Sequence, residues 1–80
     1  MDSWRMGEHL PQLKPQELIR VLEGLGFVFK RQTGSHKIYY HPEKKIVISV
    51  PDHARDIKRG LLFGFLRQLH LSVSEFIKYL

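Results

Sequence analysis

The stretch Arg31-Gln32-Thr33-Gly34-Ser35-His36-Lys37-Ile38-Tyr39-Tyr40-His41 reads as the end of one strand, a tight turn at Thr33-Gly34 and the start of the next strand. Glycine is the residue that accepts a positive φ without steric cost, so Gly34 suits such a turn. The turn carries a serine, a histidine and several cations to one rim of a small sheet. Histidine is the side chain whose unperturbed pKa lies near neutrality, so His36 is suited to giving or taking a proton. Cations beside it are suited to holding a phosphate.

Working outward, strand periodicity continues on both sides. The first strand begins near Phe27 and ends near Gln32. The second runs from Ser35 to His41 and is closed by Pro42, which has no N–H for the ladder. Alternation puts His36, Ile38 and Tyr40 on one face and Lys37, Tyr39 and His41 on the other. Tyr40 is expected in the core. A turn at Glu43-Lys44 leads to a third strand, Lys45 to Val50, with Ile46, Ile48 and Val50 on one face and Pro51 as its stop. Three strands on short turns predict an antiparallel meander.

Helices flank the meander. Leu18, Val21, Leu22 and Leu25 recur at helical spacing over about Pro15–Glu23, with Pro15 in the first turn and Gly26 as the left-handed cap. After a polar loop over residues 51–60, Leu62, Phe65, Leu66 and Leu69 form the stripe of a second helix, Gly60–Leu69. Phe63 lies off that stripe and is expected at the surface. Ser72-Val73-Ser74-Glu75 is a capping box opening a third helix, with Val73, Phe76, Ile77 and Leu80 as its apolar positions. The order α-β-β-β-α-α predicts an α+β domain with helices on one face of the sheet. Residues 1–11 show no periodicity and read as an extension, whose Trp4 and Met6 either pack on something or are disordered. Residues 12–80 read as the domain.

Composition narrows the function. The chain has no cysteine, so disulfides and thiolate metal sites are excluded. No apolar run approaches the roughly 20 residues of a membrane span. Arg5 is followed by no apolar signal core, so no secretion signal is expected. The net charge is +5. Residues 30–59 hold eight cations against three acids, so the whole surplus lies in the sheet and the loop after it. Such a field suits a polyanion, although a solvated basic surface would have the same charge.

Taken one by one, the candidate residues leave alternatives open. His36 shares a face with Ile38 and Tyr40 and reads equally as a partly buried, hydrogen-bonded histidine. His41 and His53 read as surface residues, and neither stands out as a second proton-transfer group. Ser35 reads as a turn residue, since no acid is placed to build a triad around it. Tyr39 and Tyr40 are candidates for base stacking. Lys30, Arg31, Lys37, Lys58 and Arg59 are the phosphate-contact candidates, Arg31 foremost because its fork binds phosphate in two places. No metal site and no cofactor are expected: His36 and His41 face opposite ways, and no acidic cluster joins them.

The strings Gly26-Phe27, Arg31-Gln32, Gly34-Ser35-His36, Tyr40-His41-Pro42, Lys58-Arg59-Gly60 and Leu71-Ser72-Val73-Ser74-Glu75-Phe76 resemble the HicA toxin family of mRNA interferases over about residues 12–80. The resemblance implies a double-stranded-RNA-binding-domain-like fold and metal-independent endoribonuclease activity with His36 as the catalytic histidine. It implies RNA contacts from the cations and Ser35, a prokaryotic cytoplasmic setting, and neutralisation by a HicB-like antitoxin that covers His36. The exposed Phe63 is a further antitoxin contact on this reading. Three positions depart from the family pattern. Leu61 and Phe63 stand where threonine and arginine are usual, and His70 where glycine precedes the last helix. A non-catalytic RNA-binding module of the same fold is the alternative, and a pure protein-interaction subunit is a third reading.

Overall fold

The computed structural model describes residues 10–80. Helix α1 (Pro15–Gly24) precedes strands β1 (Val28–Thr33), β2 (His36–His41) and β3 (Ile46–Pro51), then helices α2 (Arg59–Leu69) and α3 (Val73–Ile77). The strands form one antiparallel sheet in the order β1-β2-β3. This is the expected α+β layout. The first turn is shifted by one residue from expectation. Thr33 pairs with His36, which makes Gly34-Ser35 the two-residue loop and Ser35 a turn residue. Gly34 has φ +58°, and glycine at the first central position is the requirement of a type II′ hairpin.

The helices build the core on one face of β2 and β3. Leu18, Val21 and Leu22 of α1, the Leu62-Phe65-Leu66-Leu69 stripe of α2 and Val73 and Phe76 of α3 close over Tyr39, Ile48 and Val50. β1 overhangs this layer and is exposed along its whole length. Tyr39 is therefore the core tyrosine, 4% exposed, and Tyr40 is half-buried on the open face. The expectation for Tyr40 fails because β3 decides the matter. Its Ile48 and Val50 are cross-strand partners of Tyr39 and Lys37, so that face of β2 is the one the helices cover. Burial, followed by the nearby Glu23 and Asp52 charges, pushes the Tyr39 hydroxyl pKa up.

The chain before α1 is also packed. Leu10 and Leu13 are buried, and the Ile57 N–H donates to the Leu13 carbonyl at 2.7 Å. Leu10, assigned to an extension by sequence, thus lies in the core, and the polar loop contributes Ile57 to it. Trp4 and Met6 lie outside the described residues. At the other end, Ile77 and Leu80 were expected to be apolar packing positions and are exposed instead. The helix stops at Ile77, after little more than one turn, so only Val73 and Phe76 reach the core.

Helix ends follow local chemistry. Glu17 Oε1 accepts from the Lys14 N–H at 2.8 Å, satisfying one orphan donor of α1. At α3 the box is complete: Ser72 Oγ accepts from the Glu75 N–H and Glu75 Oε1 from the Ser72 N–H. These hydrogen bonds hold the Glu75 carboxyl below the usual carboxylate range. Both longer helices end in a Schellman motif. In α1 the Phe27 N–H donates to Leu22 O and the Gly26 N–H to Glu23 O, with Gly26 at φ +101°. In α2 the Leu71 N–H donates to Leu66 O and the His70 N–H to Arg67 O, with His70 at φ +57°. Histidine occupies the left-handed position that glycine fills without strain.

An L-residue in the left-handed region costs about 1–2 kcal/mol, and glycine's extra freedom in the unfolded chain takes back part of any gain. His70→Gly is therefore expected to stabilise the domain by about 0.5–1 kcal/mol, a Tm rise of roughly 2–8 °C. His70→Val should lower Tm. Thermal unfolding of the two variants beside wild type checks this, and a lower Tm for the glycine variant would contradict it.

Candidate active site

The face of the sheet without helices holds His36. Antiparallel partners share a face, so the register defines its rows. Thr33, His36 and Pro51 form the first, Arg31, Ile38 and Ser49 the second, and Val28, Tyr40 and Val47 the third. His36 opens β2, is exposed, and makes no side-chain hydrogen bond to another described residue. Its imidazole is accessible to an incoming group on the same face as the Arg31 guanidinium.

A β-bulge puts Arg31 there. Phe29 pairs with Tyr39 and Arg31 with Ile38, leaving Lys30 as the extra residue. Strict alternation from Phe29 would send Lys30 to the open face and Arg31 to the other. The inserted residue shifts the phase, so both cations reach the open face. The Lys30 Nζ lies 5.3 Å from the centre of the Tyr40 ring.

Not every sequence candidate joins this face. Lys37 points to the opposite one, where its Nζ lies 3.6 Å from Asp52 Oδ1. Gln32 Nε2 donates to Asp52 Oδ2 at 3.4 Å and to Gly34 O at 3.3 Å, while the Asp52 N–H donates to Ser35 O at 2.7 Å. This cluster braces the hairpin that presents His36. Ser35 is exposed within the turn, and its carbonyl takes part in that brace. Lys58 and Arg59 lie exposed at the start of α2, whose first turn has no acid to offset its positive end. A shallow groove lined by Pro51, Ala54, Asp56, Lys58, Gly60 and Leu61 connects that helix end to Pro51, the cross-strand partner of His36. Phe63 is 40% exposed and Leu61 37%, so two of the three positions that depart from the expected pattern are surface positions.

His41 is not the surface residue expected from sequence. It is 5% exposed, and both ring nitrogens are engaged. Nδ1 accepts from the Lys44 N–H at 3.1 Å, so Nε2 carries the proton and donates to the Leu25 carbonyl at 3.1 Å. The ring meets Phe27 edge-on at 5.1 Å between centroids. The absent side chain of Gly26 makes room for it, since a Cβ there would lie 3.1 Å from Nε2. His53 is exposed in the loop before α2. Among the described residues no three His, Cys, Asp or Glu side chains cluster as metal ligands. No described helix is long and apolar enough to cross a membrane.

An open antiparallel sheet with helices on one face, and a histidine beside cations on the other, defines a small α+β domain suited to an anionic ligand. The sequence model of the family described as the HicA toxin of bacterial toxin-antitoxin systems matches residues 15–71. That span is most of the chain, and the chain belongs to the HicA toxin family. Membership implies an antitoxin partner. Individually curated proteins give no match.

Replacing His41 removes two hydrogen bonds and leaves a void between α1 and the sheet. His41→Ala is expected to cost about 2–4 kcal/mol of stability. Urea unfolding measures this as a lower midpoint at unchanged slope. An unshifted midpoint would show that the ring does not hold these elements together.

Proposed function

We propose that this chain is the toxin of a type II toxin-antitoxin pair, an endoribonuclease that cuts mRNA in the prokaryotic cytoplasm. The observation that carries the reading is the exposed His36 on the helix-free sheet face beside Arg31. A phosphodiester lying across this face meets a proton-transfer group and a bidentate cation together. His36 takes the proton of a ribose 2′-OH, and the 2′-oxygen attacks the adjacent phosphorus. The bond to the 5′-oxygen of the next nucleotide breaks. That oxygen leaves with a proton from the now protonated His36 or from water. The products are a 2′,3′-cyclic phosphate and a 5′-hydroxyl. Arg31 and Lys30 stabilise the charge that builds on the phosphoryl oxygens.

Metal independence in this reading rests on the family resemblance. Lys58 and Arg59 extend the cationic track past Pro51 toward the start of α2. A HicB-like antitoxin would silence the enzyme by covering His36 and Arg31, with Phe63 as a neighbouring apolar contact. Acidic groups on the antitoxin would complement a surface whose surplus charge lies between residues 30 and 59.

The test is cleavage of a defined RNA by purified protein in excess chelator, with product ends mapped. Wild type should cut RNA, leave cyclic phosphate, and spare an oligomer with 2′-deoxyribose at the cut site. His36→Ala should lose about 10²–10⁴-fold in rate. Arg31→Ala should lose more activity than Lys37→Ala, whose side chain sits on the other face. RNA left whole by folded, antitoxin-free wild type would move the assignment to a non-catalytic RNA-binding module.

A further inference from the structure

We propose that the row Val28-Tyr40-Val47 is a base-stacking platform for single-stranded RNA, set apart from the phosphodiester bond cleaved beside His36. The proposal deepens the ribonuclease reading and rests on it for the class of substrate. Its own support is geometric. Tyr40 lies on the open face in the same strand as His36, four residues along, roughly 13 Å at strand rise. That distance separates the cut phosphate from a base about one or two nucleotides away.

The flanking residues fit a base. Val28 and Val47 are Tyr40's partners on the neighbouring strands and are 50% and 52% exposed. Three apolar side chains side by side on an uncovered sheet form a flat surface, and an aromatic ring on such a sheet is how several single-strand binders hold bases. Arg31, in the row between Tyr40 and His36, is placed for the backbone that joins the stacked base to the cut site. Charge selects the occupant, because Lys30 and Arg31 border the apolar row and suit a polyanion.

Lys30 gives the platform a resting state. Its ammonium lies over the Tyr40 ring at 5.3 Å. An exposed cation–π contact is weaker than base stacking on an aromatic ring. An arriving base displaces the ammonium, which is then free to pair with a phosphate. The exposed face thus exchanges one weak contact for a stacked base and an ion pair.

The experiment measures binding apart from cleavage. A fluorescein-labelled, fully 2′-O-methyl single-stranded oligomer cannot be cut through a 2′-hydroxyl, so anisotropy with it reports affinity alone. Tyr40→Ala should weaken binding roughly 5- to 150-fold, the range of one lost stacking contact. Tyr40→Phe should bind like wild type. Tyr40→Leu keeps apolar bulk if the alanine variant fails to fold, and should still be weakened. An abasic nucleotide scanned along the oligomer should cost wild type affinity at one position and cost Tyr40→Leu nothing there, a pattern that general loosening of the sheet would not give. If wild type binds through Tyr40 in this way but leaves unmodified RNA whole, the ribonuclease reading falls and the platform stands. If Tyr40→Leu binds and scans like wild type, or wild type does not bind, the platform is overturned. Retained RNA affinity with lost antitoxin binding in that variant would overturn it too and assign the row to the protein partner.

Discussion

The pair of hydrogen bonds made by His41 joins the two halves of the domain. One ring nitrogen holds the carbonyl at the end of α1, and the other holds an N–H in the turn between β2 and β3. A single buried side chain thereby fixes where the first helix lies against the sheet. The glycine at the α1 cap does two jobs at this point. It adopts the left-handed φ that ends the helix, and its missing Cβ leaves the space His41 occupies. Because His41 anchors the far end of β2 in the core, alternation along that strand sends His36 to the open face. The position of the exposed His36 thus depends on a second histidine, His41, buried at the other end of the strand.

β1 completes the site from the other side. Without its bulge, Arg31 would share the side of the sheet occupied by Lys37 and Asp52. One extra residue in the strand turns an alternating pattern into two adjacent cations on the face of His36. Overhanging the helices, β1 also gives that face an accessible margin.

Element order and type could be read directly from the sequence. The Leu18-Val21-Leu22 stripe, the Pro42 and Pro51 strand stops, the Gly26 cap and the Ser72–Glu75 box each act within a few residues of themselves. Local rules suffice for such features. The faces of β2 were harder, because its two alternating sets differ little in hydrophobicity. Its partner held the answer, since Ile46, Ile48 and Val50 are cross-strand from His41, Tyr39 and Lys37. The pairing with β3 is what places Tyr39 inward, opposite Ile48, and Tyr40 outward, opposite Val47. A histidine before a proline at a strand end reads as a surface residue, and nothing local to His41 marks it as buried. Its partners come from Leu25 and Lys44, and only the first is distant in sequence. The bulge at Lys30 had no sequence signal: no glycine marks it, and it is defined only by the register with β2.

That bulge bears on a different hazard. β1 and β3 are the two margins of a three-stranded sheet. An unprotected strand margin offers unpaired backbone groups to any other strand, including another copy of the same chain. In β1 the ladder is interrupted midway, and the interruption falls where Lys30 and Arg31 crowd like charges together. A bent, cationic margin repels a second copy of itself and offers no straight run of backbone to pair with. The distortion that turns Arg31 to the open face also keeps a strand with exposed Val28 and Phe29 from zipping to its neighbours.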